Sequence, residues 1–396
     1  MTYDFDTRLN RLGTRSEKWD EMETRFGVPA QGDPQGIAMW VADMDFRSPP
    51  AVNDAVAAMA RSGLYGYPGA WRDHDEALCG WLQQRHGWDI RPQWVLRMPN
   101  VVTVLHLAIQ AFTRPGEGVI VQPPVYPPFM LAPGNCGRTV LENPLRCEDG
   151  PHGPRFVMDY DHLEQQIDAG GKLLLLCSPH NPGGRVWSRG ELQRLAEICL
   201  ARDVIIISDE IHHDLVYPEH THTVLARMSP EIADRTVTCI SATKTFNIAG
   251  SMLGMAVVQN DGLRARLQQA MHGAGLFDPS AFGLAMGIAA YRHGNPWREA
   301  LLSYLDGNRR LVHDTLSALD GVSPMLPEAT YLSWLDFNGT GLASEQIIDR
   351  LQSTARLALN HGPSFGTGGN GCMRLNFACP RSVLHEALGR IVRAFS

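Results

Sequence analysis

From about residue 94 the chain switches repeatedly between short apolar runs and amphipathic helical stretches, and this alternation limits the fold more than any single motif. QWVLRM reads as a strand, VVTVLHLAIQAFT as a helix, and GVIVQP as a strand ending in the turn-rich PPVYPP. KLLLLCSP is a continuous apolar run suited to a strand covered on both faces. SRGELQRLAEICLARD then reads as a helix, with Ser188 and Glu191 at capping-box spacing. VIIISDE, TVTCIS and MLGMAVV supply three more strands. The pattern predicts an α/β fold with a mostly parallel sheet covered by helices, and such a sheet binds ligands beyond the carboxyl ends of its strands.

The last hundred residues change character. WREALLSYLDGNRRLVHDTLSAL reads as a long helix, followed by ATYLSWLDF, MRLNFAC and a final helix, a smaller α+β domain. The first 45 or so residues lack the α/β rhythm and are assigned to that domain. The expected division is a large domain over 46–285 and a small one built from 1–45 and 286–396.

Charge narrows the partners. The net charge is −7 and no run of like charge stands out, so neither nucleic acid nor an anionic membrane is expected; a small molecule is. The eight cysteines are scattered without a CxxC pair, and several, such as Cys177 and Cys239, sit in apolar runs. With a charged N-terminal stretch and no apolar run of membrane-spanning length, this predicts a reduced, soluble, cytoplasmic protein.

Of the 35 basic residues only Lys18, Lys172 and Lys244 are lysines. Arginine keeps its proton at any ordinary pH, whereas a lysine near other cations or out of water can lose its own and act as nucleophile or base. Lys244 lies in SATKTFNIAG, just past a strand, and other polar residues fall at the same sheet edge: Asn181 after KLLLLC, Asp209 after VIIIS, Ser241 after TVTCI and Tyr126 after GVIVQP. The helix opening at Val101 offers free N–H groups to an anion such as phosphate. An amine, a carboxylate, an amide, an aromatic ring and a phosphate-binding helix start are what pyridoxal phosphate needs: the lysine forms a Schiff base with its aldehyde, and the carboxylate keeps its ring nitrogen protonated.

MWVADMDF, SPHNPGGRVW, SDEIHHDLVY, SATKTFNIAG, EATYLSWLDF and RLNFACPRS, in this order over essentially the whole chain, resemble the fold-type-I pyridoxal-phosphate enzymes. The resemblance is to the MalY/PatB type of cystathionine β-lyase, a carbon–sulfur lyase branch related to the class I/II aminotransferases. It implies an aspartate-aminotransferase-like fold and a homodimer with shared active sites. It makes Lys244 the Schiff-base lysine and general acid/base, with Asp209 on the ring nitrogen. Asn181 and His212 then lie near the ring oxygen, and Tyr126 stacks on the ring. Ser241 and the backbone at Val101 and Val102 hold the phosphate, joined by Tyr67 from the second subunit. Arg374 binds the carboxylate of an amino-acid substrate. The bland alternatives are a packed turn for Tyr67, a loop-opening residue for Ser241 and a surface strand residue for Arg374; the apolar strand around Arg374 favours the substrate role there.

Two positions depart from the relatives' pattern. Met252 stands where aminotransferases commonly carry an arginine for the phosphate, and Met98-Pro99-Asn100 replaces a serine-containing segment before the phosphate-binding helix, where Asn100 can still cap. The resemblance implies α,β-elimination of a cysteine thioether, with transamination as the alternative because Lys244 suits either. DEIHHDLVYPEHTH, over 209–222, raises a metal enzyme as a rival. Adjacent histidines at a strand end point opposite ways, and no established zinc spacing is present, so no catalytic metal is expected.

Overall fold

The computed structural model describes residues 3–69, 72–277 and 279–396. Its central sheet has seven strands: β1 (Val95–Met98), β2 (Gly118–Val121), β3 (Thr139–Glu142), β4 (Gly171–Cys177), β5 (Ile205–Asp209), β6 (Thr236–Ile240) and β7 (Gly254–Val257). They lie in the order β1-β7-β6-β5-β4-β2-β3. Side chains of β4 alternate between two buried cores, Leu173 and Leu175 facing one and Leu174 and Leu176 the other. That two-sided burial explains why the strand reads as an unbroken apolar run rather than an alternating one.

The strands β2 to β6 pair in parallel, as the alternation predicts. The strand in MLGMAVV differs from the expected parallel crossover pattern: β7 runs antiparallel to both β6 and β1. The connection from β6 to β7 contains only a four-residue helix and a 3-10 turn, too little to carry the chain back to the starting end of the sheet. The chain therefore turns round at the carboxyl end of β6, and the loop it leaves there holds Lys244.

Its helices include α1 (Arg72–His86), α2 (Val101–Phe112), α3 (Arg189–Ala201) and α4 (Ala242–Thr245). The capping box at Ser188 and Glu191 forms as its spacing predicts and opens α3. The long helix of the C-terminal region spans Asn295–Ser317, and a final helix spans Arg381–Phe395. Beside them a four-stranded antiparallel sheet is built from β8 (Ser323–Pro324), β9 (Leu332–Asp336), β10 (Asn360–His361) and β11 (Cys372–Asn376), in the order β8-β9-β11-β10. The N-terminal segment joins this part of the chain: Ile37 and Ala38 pair in parallel with Leu357 and Ala358. All eight cysteines are free, six of them buried and Cys147 exposed. Among the described residues no helix is long and apolar enough to cross a membrane.

Candidate active site

The register of the sheet levels the ends of its middle strands, with Cys177 opposite Asp209 and Asp209 opposite Cys239. Loops leaving those ends enclose a cavity of about 140 Å³ whose wall includes Val101, Val102, Tyr126, Asn181, Asp209, His212 and Lys244. Seven residues expected at the site from sequence thus converge. Tyr126 and Lys244 also line an adjoining open cleft of about 1060 Å³, to which the N-terminal segment and Arg374 contribute.

Lys244 stands on α4, a helix too short to hold itself, whose first turn is closed by the Ser241 side chain accepting from the Thr243 N–H at 3.0 Å. Its Nζ donates to the Ala42 carbonyl at 2.8 Å. Burial brings the amine down to about 8; Asp43 opposes that fall and Arg374 adds to it. Asp209 ends β5, and its Oδ1 accepts from the Ile211 N–H at 3.1 Å. Burial pushes this carboxyl up to about 7, against the Ile211 bond. A carboxyl poised there can share a proton with a ring nitrogen placed against it. His212 is buried and held neutral by desolvation and by the charges of Lys244 and Arg374, and its Nδ1 meets no partner.

Arg374 lies mid-strand in β11, buried rather than on the surface. Its Nη1 donates to Asn181 Oδ1 at 3.1 Å and its Nη2 to the Trp40 carbonyl at 2.6 Å and to Asn360. The guanidinium sits 5.1 Å from the centre of the Phe365 ring. Among the described residues it has no carboxylate partner, and its Nε is a buried donor without an acceptor. A buried, uncompensated guanidinium costs several kcal/mol unless an anion completes it. The planar fork suits a carboxylate.

The start of α2 offers a second set of donors suited to an anion. Asn100 caps it, accepting from Thr103 N–H at 2.8 Å, so the cap survives the departure at Met98-Pro99-Asn100. Gly254 allows β7 to pass beneath: a Cβ there would lie 2.6 Å from the Asn100 carbonyl carbon and 2.8 Å from Val101 N. Met252 is half-exposed, with a left-handed φ of 53°, and brings no cation.

Two expected residues stand elsewhere. The Ser241 hydroxyl donates to the Leu253 carbonyl at 2.6 Å and is buried behind the wall; Thr243, two residues on, lines the cavity instead. Tyr67 is fully exposed on the surface, in a separate depression beside Met59 and Phe282. Sequence reasoning missed Thr243, Asp43, Asn360 and the Ala42 carbonyl. Thr243 could have been weighed from its neighbour Lys244, whereas the others carry no local signal.

The amine, the carboxyl, the capped helix start, the orphaned Arg374 Nε donor and the unpartnered His212 Nδ1 fit pyridoxal phosphate and an amino acid. The description "Aminotransferase class I and II" matches residues 41–391. The chain is 41% identical to the Bacillus subtilis protein named cystathionine beta-lyase PatB, over 99% of this chain and 100% of that one. It is 31% identical to Protein MalY of Escherichia coli, over 99% and 98%. The crystal structure of cystalysin from Treponema denticola, which contains pyridoxal 5'-phosphate, superposes with a TM-score of 0.94 at 33% identity, covering 100% of this chain and 99% of that one. Motif order, sheet topology and site lead to one conclusion: the chain belongs to the pyridoxal-phosphate-dependent class I and II aminotransferase family, with an aspartate-aminotransferase-like fold of type I.

Proposed function

We propose that the protein is a carbon–sulfur β-lyase, which converts L-cystathionine or a related cysteine thioether, with water, to a thiol, pyruvate and ammonia. The observation that carries this reading is the 41% identity to a protein named as a cystathionine β-lyase along the full chain, joined to the uncompensated Arg374 beside Lys244. Pyridoxal phosphate, when bound, supplies an electron-accepting ring that spreads the charge left at the substrate's Cα. Lys244 holds the cofactor and, once released, takes the Cα proton, a role that suits an amine lowered to about 8. With the cofactor bound, Asp209 would hold a proton at its ring nitrogen and Tyr126 would stand on its ring face, while Arg374 and Asn181 orient the α-carboxylate of the substrate. Val101, Val102 and Thr243 on α4 receive the phosphate, with Ser241 closing the α4 turn behind them.

The adjoining cleft gives a long thioether room, and the leaving thiolate departs into it. We assign the working form as a homodimer in which the exposed Tyr67 completes the partner's phosphate site. Eight unpaired thiols suit a reducing compartment, and we place the enzyme in the cytoplasm. Transamination stays as the second reading because the family description names it and its first proton transfer needs the same residues. A panel of cysteine thioethers, assayed for pyruvate, tests the proposal. Release from at least one, abolished in Lys244→Ala, supports it; release from none, with amino groups passing to an added keto acid, would make the protein a transaminase.

A further inference from the structure

Behind the catalytic loop, on the side of α4 away from the cavity, three residues distant in sequence meet. His86 ends α1, while His213 and Asp214 lie in the turn after β5. The ligand-capable atoms of the three lie within 4.8 Å of one another. His86 Nε2 is 2.9 Å from Asp214 Oδ1, and His213 Nε2 is 3.3 Å from Asp214 Oδ2. The side chains of His213 and Asp214 are 2% and 0% exposed, and that of His86 7%.

The tautomer of His213 makes this more than a hydrogen-bonded cluster. Its Nδ1 lies 2.5 Å from the Glu210 carbonyl, which can only accept, so Nδ1 carries the ring's hydrogen. Nε2 of the neutral ring then presents a lone pair, and it is a buried atom without a hydrogen-bond partner. It faces a carboxylate oxygen that already accepts from Trp81 Nε1 at 2.9 Å. Two acceptors confront each other with no donor between them.

We propose that His86, His213 and Asp214 bind a divalent metal ion, zinc by preference, as a structural site. Two imidazoles and a carboxylate are ligand types zinc takes, at about 2.0–2.2 Å. The Glu210 carbonyl orients His213 as backbone carbonyls orient metal-bound histidines elsewhere. In a neutral His86 ring the Nε2 hydrogen shared with Asp214 moves to Nδ1, which frees the Nε2 lone pair for the ion. The ion pins the end of α1 to the turn after β5. Asp214 is also 3.4 Å from the Thr245 hydroxyl, next to Lys244, so the pin braces the lysine helix from behind. No step of the reaction passes through it. The absence of an established zinc spacing in DEIHHDLVYPEHTH does not bear on this site, because its third ligand, His86, comes from α1.

Holoenzyme treated with a chelator, loaded with equimolar zinc and desalted decides the matter. The wild type is expected to retain one zinc per chain by mass spectrometry of the metal, with only nitrogen and oxygen scatterers at the zinc absorption edge. His213→Ala and His86→Ala should each retain less than a tenth of that while keeping the cofactor absorbance. Retention of no zinc by the wild type, equal retention by both variants, or a sulfur scatterer at the edge would overturn the site. Should the variants fail to fold, the stoichiometry and edge spectrum of the wild type alone decide.

Discussion

An ordinary lysine has about 0.3% of its amine neutral at pH 8, whereas Lys244, brought down to about 8, has half. The sign is fixed by the cause: burial disfavours the ammonium, so the neutral nucleophile appears at lower pH. Capture of pyridoxal phosphate by cofactor-free protein should therefore speed up about tenfold per pH unit below 8 and level off above it. A capture rate that keeps climbing to pH 10 would show an unperturbed amine. Arg374 gives a second test. Arg374→Ala removes a charge-assisted contact to the substrate carboxylate and should cost roughly 1.5–3 kcal/mol, a loss of about 10- to 150-fold in kcat/KM, which Arg374→Lys should not restore. An unchanged kcat/KM would remove Arg374 from the substrate site. Lys244, Asp209 and Asn181 were legible because each follows an apolar run whose end marks the sheet edge. Thr243 and Ser241 were not separable in that way: which hydroxyl faces the cavity depends on the Leu253 carbonyl, which captures Ser241.

Elements shape the proposed phosphate site through close backbone approach. The first turn of α2 rests on Gly254 of β7, and any side chain there must push Asn100 and Val101 away. Gly254→Ala should release the cofactor faster on dilution, with the fluorescence of free pyridoxal phosphate as the readout. Asn100→Ala should cost about 1 kcal/mol in stability through the lost cap, and weaken retention too. Retention equal to wild type in both would separate the start of α2 from phosphate binding. The helix itself was plain from its apolar periodicity. The antiparallel course of β7 was not, since direction depends on where the chain turns round and strand composition says nothing of it. Long-range contacts were equally hidden: the Arg374 partners Trp40 and Asn360 come from opposite ends of the chain and meet only after the N-terminal segment docks on Leu357 and Ala358.

At the scale of the molecule, the proposed dimer and the reaction can be tested separately. Tyr67→Phe should weaken cofactor retention. Mixed with Lys244→Ala chains, it should regain wild-type-like sites, because in a mixed dimer one site has both Lys244 and a partner's tyrosine. Retention equal to the sum of the two parents would keep Tyr67 out of the shared site.

Elimination and transamination part in turnover without a keto acid. With L-cystathionine as the only substrate, a lyase returns Lys244 to the cofactor after each cycle, so thiol, pyruvate and ammonia should accumulate in equal amounts over many turnovers. Conversion that stops after one turnover per site and resumes only when a keto acid is added would contradict the account and show an aminotransferase.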